Sequence, residues 1–178
     1  MNIAVYCASR EDLAEQYVIP AQALGEWIGK KGHTLVYGGV KSGLMHTVAQ
    51  AAHDAGAHIV GVVPQRFLAR TDAVVDDVIE CEDLGDRKTI MMDHADAFVV
   101  LPGGLGTLDE WISTLSQIIV NVNDHRPIIV VNVGGMYSHM LQQLKDTAGS
   151  PFARGKHIDC SIGVADAQEM IQELEKIK

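Results

Sequence analysis

The sequence predicts an α/β protein: a Rossmann-like, doubly wound parallel sheet with helices on both faces, in a single domain spanning residues 1–178. Three observations carry that expectation. The strand-like segments, among them "HIVGVV", "DAFVV" and "PIIVVNV", are near-continuous apolar runs rather than alternating ones. Strands buried on both faces read this way. Between them lie amphipathic segments of helical period, so strand and helix alternate along the chain. With right-handed crossovers, that alternation winds a parallel sheet and covers both of its faces. No repeat, linker or low-complexity segment interrupts the pattern.

The elements follow in order. "NIAVYC" opens as a short apolar strand, and a helix is expected over about residues 16–31. It closes at "KKGH", a basic last turn with glycine as the stop. Pro20 is expected in the first turn of that helix, where its missing N–H costs little. "TLVYGG" is a strand, "GLMHTVAQAAHDAG" a helix with its own glycine stop, and "HIVGVV" a strand ended by Pro64. Residues 66–75 read as an irregular surface loop. "DDVIEC" is a short strand and "DRKTIMMDHA" a helix, followed by the strand "DAFVVLP" and the helix "TLDEWISTLSQIIV". "PIIVVNV", "MYSHMLQQLKDTA", "HIDCSIG" and "ADAQEMIQELEKI" complete the alternation.

Composition narrows the function. Fourteen basic against 23 acidic residues give a net charge of −9. That disfavours nucleic acid and membrane surfaces as partners while leaving room for a local anion pocket. No apolar stretch is long enough to span a bilayer. The opening "MNIAVYCASRED" lacks the basic region and apolar core of a signal peptide. Cys7, Cys81 and Cys160 are scattered and odd in number, which points to a reduced, cytoplasmic setting. The histidines form no H-E-x-x-H or Cys/His pattern, so no metal is expected.

In a doubly wound sheet, ligands bind beyond the carboxyl ends of the strands. Three segments carry chemistry there: "YCASR", "YGGVKSGLM" and "LPGGLGTLDE". In the last, Gly103, Gly104 and Gly106 let the backbone approach a ligand with no Cβ in the way. The N–H groups at the following helix start suit a phosphate, and Thr107 adds a hydroxyl. A tight turn that binds nothing would explain one glycine less expensively than it explains three. The pattern is neither a dinucleotide fingerprint, whose third glycine would fall at Asp109, nor a P-loop, since Leu44 follows Gly43 where lysine is required. Asp109 and Glu110 lie in the first turn, where the helix dipole alone explains both. Adjacent helical residues diverge by about 100°, so one of the two at most faces the sugar of a nucleotide. Arg87 and Lys88, in "GDRKTIMM", lie either at the far end of the sheet or at this cleft. Ser9 and Ser42 fall in strand-to-helix loops, as ligand contacts or as loop caps. Met45, Met91 and Met92 read as core, and Trp111 as core or subunit interface.

Together these segments resemble the Lonely Guy family of cytokinin riboside 5′-monophosphate phosphoribohydrolases, often labelled lysine decarboxylases. "PGGLGTLDE" matches the family's PGGxGTxxE signature. "DRK" resembles its upstream RK element, "YGGVKSGLM" its YGG-x-x-x-GLM segment and "VYCAS" its opening V-[FY]-C-G-S. The resemblance covers nearly the whole chain. It implies that Gly103, Gly104, Gly106 and Thr107 hold a 5′-phosphate and that Arg87 and Glu110 form the catalytic pair. Lys88, Ser9 and Gly39 become further substrate contacts, and a homodimer is implied. Ala8, Val40, "LGDRK" and the segment after Glu110 depart from the family pattern, which bears on base specificity. Nothing around Lys41 or Lys88 suits pyridoxal phosphate.

The activity so implied is hydrolysis of the N-glycosidic bond of a nucleoside 5′-monophosphate, with no cofactor. Glu110 would stabilise an oxocarbenium-like transition state and direct water, while Arg87 binds substrate oxygens. The alternative is a nucleotide or molybdenum-cofactor carrier that uses the same glycine cradle without turnover.

Overall fold

The structure, a computed structural model, describes residues 1–121, 123–153 and 160–177. Seven parallel strands form one sheet in the order β4-β3-β2-β1-β5-β6-β7. They are β1 (Asn2–Tyr6), β2 (Thr34–Tyr37), β3 (His58–Pro64), β4 (Asp77–Cys81), β5 (Ala97–Val100), β6 (Ile128–Val131) and β7 (Ser161–Val164). Strand order reverses at β1, which pairs with β2 on one side and with β5 on the other. The crevice above β1 and β5 is therefore the topological switch point.

The helices are α1 (Glu15–Lys30), α2 (Gly43–Asp54), α3 (Leu84–Asp93), α4 (Leu105–Val120), α5 (Ser138–Ala148) and α6 (Ala167–Leu174). α1, α2 and α6 bury their apolar stripes on one face of the sheet, with Leu24, Ile28, Val48 and Met170 in that layer. The other layer holds Met91 of α3, Trp111, Leu115 and Ile118 of α4, and Tyr137 just before α5. Burial on both faces is why β5 and β6 consist of apolar residues throughout. α1 and α2 pack closely because Gly25 and Gly29 have no Cβ: one at Gly25 would run into the Val48 carbonyl, and one at Gly29 into Ala55.

Three local expectations change. α1 starts at Glu15, so Pro20 sits in its second turn and is buried there. α3 starts two residues before "DRK", at Leu84, because the Asp83 carboxylate caps it, accepting from Gly85 N at 2.7 Å and Asp86 N at 2.9 Å. The stretch 66–75 is not wholly irregular: a short 3₁₀ segment runs over Gln65–Arg70. Of "HIDCSIG", the first three residues lie outside the described residues.

Candidate functional site

The strands deliver four loops to one end of the sheet, and short bonds tie those loops together. Leu101 N donates to Tyr6 O at 2.9 Å, extending the β1–β5 ladder, and Ala8 N donates to Pro102 O at 3.0 Å. Leu44 N donates to Ala8 O at 3.0 Å, and the Ser42 hydroxyl donates to Ser9 O at 2.5 Å, which joins the β2–α2 loop to the β1 exit. From the far side the Tyr137 hydroxyl donates to Leu101 O at 2.9 Å. Trp111 stacks edge-on against Tyr137 and donates its indole N–H to Ser161 at 3.0 Å, so its place is in the core. The glycine loop thus leaves β5 from a rigid exit.

That loop opens α4 with Gly104 as the N-cap, and no side chain fills the cap. The first helical bond runs from Leu108 N to Gly104 O at 3.0 Å. The N–H groups of Leu105, Gly106 and Thr107 therefore precede the helical ladder, where they and the helix dipole suit an anion. Each glycine has its own reason. A Cβ at Gly103 would collide with the Thr107 side chain, whereas Cβ atoms at Gly104 and Gly106 would meet no protein atom. Gly103 lets Thr107 tuck beneath the loop; Gly104 and Gly106 keep the space above it clear. All four residues line a cleft of about 650 Å³.

Arg87 comes to the same cleft. α3 follows β4 and runs back toward the start of β5, so its first turn lies at the carboxyl end of the sheet, beside the glycine loop. Of the two places the sequence allows, the structure selects this one. Arg87 Nη2 donates to Glu110 Oε1 at 2.5 Å, with the two side chains 16% and 9% exposed. Burial holds the Glu110 carboxyl above its usual range, against the opposing pull of Arg87. Arg87 Nε is buried and has no hydrogen-bond partner among the described residues. Gly38 makes room for this guanidinium, since a Cβ there would lie 3.3 Å from Arg87 Nη1 and 3.1 Å from Met45 Sδ.

Lys88, one residue on, faces elsewhere. It donates to Asp109 Oδ2 at 2.8 Å and to Ser113 Oγ at 3.1 Å, and it does not line the cleft. The bond from Lys88 holds the Asp109 carboxyl below its usual range. Ser9 lines the cleft. Gly39 does not; its φ of +68° and the Val63 side chain against its Cα make it a backbone requirement. No lysine is among the described residues that line the cleft, so the chemistry of a lysine-bound cofactor has no anchor there.

The rest of the lining was not legible as a site. Arg10, Leu13 and Tyr17 come from the segment after β1, Phe67 and Arg70 from the 3₁₀ segment, and Leu84 and Met136 from the starts of α3 and α5. The rule that ligands bind past strand ends points to the first group. Nothing in "QRFLARTD" marks it as a cleft wall. Met45, expected in the core, packs against the core and also lines the cleft.

An open helix N-terminus beside a buried arginine–carboxylate pair, at the switch point of a doubly wound sheet, defines a Rossmann-like protein whose cleft suits a small anion. The chain belongs to the Lonely Guy family: the family profile described as possible lysine decarboxylase matches residues 45–174. It is 32% identical to the cytokinin riboside 5′-monophosphate phosphoribohydrolase LOG5 of Arabidopsis thaliana, over 99% of this chain and 78% of the relative. To LOG4 of the same plant it is 34% identical, over 98% and 82%. To LOG of Oryza sativa subsp. japonica it is 33% identical, over 98% and 73%. Among solved structures, the molybdenum cofactor binding protein of Rippkaea orientalis superposes with a TM-score of 0.79 at 20% identity, covering 99% of this chain and 96% of that one. The molybdenum cofactor carrier protein of Chlamydomonas reinhardtii gives 0.78 at 22%, with the same coverage. At these identities the structural likeness establishes the fold.

Proposed function

We propose that this chain hydrolyses the N-glycosidic bond of a nucleoside 5′-monophosphate, of the AMP or cytokinin riboside monophosphate type. Water adds to the anomeric carbon, the base leaves with a proton, and ribose 5-phosphate remains. The observation that carries the reading is the buried Arg87–Glu110 pair, with Arg87 Nε unpartnered, beside the open start of α4. The activity of the family relatives supports it.

In this mechanism Gly103, Gly104, Gly106 and Thr107 hold the 5′-phosphate, which places the ribose over the first turn of α4. Arg87 takes ribose or phosphate oxygens on its open donors. Glu110, its charge kept by Arg87, faces the oxocarbenium-like carbon and orients the attacking water. Ser9 completes the phosphate side. A carrier for a phosphorylated cofactor needs the cradle but has no use for a carboxylate buried at the sugar. The protein works as a cytoplasmic homodimer, so light scattering should give about twice 19.3 kDa; a monomeric mass at every concentration would refute the dimer.

The test is incubation with AMP, an N6-prenylated AMP, other nucleoside monophosphates and the matching nucleosides, with detection of free base. Base release from monophosphates and none from nucleosides is expected. Tight binding without base release would instead identify a carrier.

A further inference from the structure

One wall of the cleft is built from a segment with almost nothing to hold it. The 3₁₀ residues Gln65–Arg70 supply Phe67 and Arg70 to the lining, yet none of the segment's residues is buried. It follows β3, two strands from β1 on the side away from β5, so it stands across the cleft from the glycine loop. What anchors it comes just after. Asp72 is 3% exposed, and its carboxylate meets His46 Nδ1 of α2 at 2.7 Å. Around this contact Asp72 N donates to Gly39 O at 2.9 Å, Lys41 N donates to Arg70 O at 3.1 Å, and Val40 bridges Thr71. The backbone bonds lie between two loops. Among the described residues, the His46–Asp72 bond ties the segment to a core helix, with the buried Tyr37 hydroxyl of β2 interacting with the same carboxylate. A carboxylate this buried is costly unless paired, so losing His46 would drive Asp72, and the wall with it, toward water.

Building on the phosphoribohydrolase reading, we infer that His46 and Asp72 are positioning residues: their bond latches the Phe67–Arg70 wall against the base end of the nucleotide. Neither side chain belongs to the Arg87–Glu110 centre, so the latch governs binding and leaves the chemical step alone.

Two near-isosteric substitutions test this. Asparagine places an amide nitrogen where Nδ1 of histidine stood; glutamine places it where Nε2 stood. His46→Gln is therefore expected to raise KM for AMP about tenfold with kcat within about twofold of the wild type, and His46→Asn to restore KM. Calorimetric AMP affinity should move with KM. Phe67→Ala should raise KM too, and adding His46→Gln to it should cost little more, because the latch acts through that wall. Circular dichroism and thermal melting establish that each variant is folded. The inference fails if folded His46→Gln keeps the wild-type KM, if kcat alone falls, if asparagine rescues no better than glutamine, or if the two penalties add in full. Wild-type base release separates this from the parent reading: a wild type that neither binds nor cleaves monophosphates overturns both, whereas an active wild type with an indifferent His46→Gln overturns only the latch.

Discussion

Two ion pairs join α3 to α4, one residue apart on each helix, and they differ in almost everything else. Arg87–Glu110 points into the cleft with both side chains nearly buried; Lys88–Asp109 points outward, with the Asp109 side chain 60% exposed. The outer carboxyl is held below its usual range by the Lys88 bond, and the inner one is held above it by burial. In water an ion pair is screened and contributes little. Out of water, burial raises the carboxyl's proton affinity against the pull of the arginine. A turn of about 100° along a helix is enough to separate a solvated ion pair from one sunk in the cleft.

The comparison can be broken most sharply at Glu110. Glu110→Gln keeps the shape and removes the charge, and turnover should fall by roughly 10²-fold or more while nucleotide affinity stays close to wild type. Full base release by that variant would end the catalytic assignment. The next largest effect is expected in the cradle. Gly104→Asp puts a carboxylate where no protein atom competes for space but where the 5′-phosphate would sit, so AMP should bind at least about tenfold more weakly. The wild type should itself prefer AMP over adenosine by calorimetry, and equal affinities would remove the phosphate from the argument. Gly38→Ala presses a methyl group on Arg87 Nη1 and Met45, and a loss of about threefold to tenfold in kcat/KM is expected. Asp109→Asn should change kcat/KM by less than about threefold; an effect rivalling that of Glu110→Gln would mean the two pairs had been assigned the wrong way round.

Stability should separate the pairs by sign. Glu110 binds its proton more tightly folded than unfolded, so its ionisation costs stability as pH rises above the ordinary glutamate range. Asp109 binds its proton less tightly folded, so its contribution is present above the ordinary aspartate range and is lost as pH falls below it. Urea unfolding of the two neutral variants and the wild type, from acid to neutral pH, would show the differences running in opposite directions.

The strands were legible because apolar runs such as "AFVV" and "IIVV" have only one comfortable place in a folded chain. The open glycine turn at the start of α4 was legible because three glycines and a threonine follow an apolar strand. What escaped depends on contacts distant in sequence. Neither Lys88 turning toward Asp109 nor Gly39 packing its Cα on Val63 leaves a trace in local spacing. The wall at Phe67 and Arg70 reads as an ordinary polar loop, because its anchor, Asp72, answers to a histidine 26 residues away. Trp111, which the sequence allows in the core or at a subunit interface, lies in the core with Leu115 and Ile118.

The strand order has one more consequence, which concerns how the chain comes to be made. β1 precedes the other six strands in sequence and lies in the middle of the sheet. Its pairing with Thr34–Val36 is available early, but its other edge must wait for Ala97–Val100. At ribosomal speeds that interval is on the order of seconds, during which a short, mostly apolar strand shows an open edge. The crevice that would hold the nucleotide does not exist until that edge closes, because the glycine loop and Glu110 follow the segment that closes it, and Arg87, made just before, has no Glu110 to face until then. A nascent chain halted before β5 is thus both inactive and adhesive, so yield from slow or cold translation should depend on whatever shields β1 until its partner emerges.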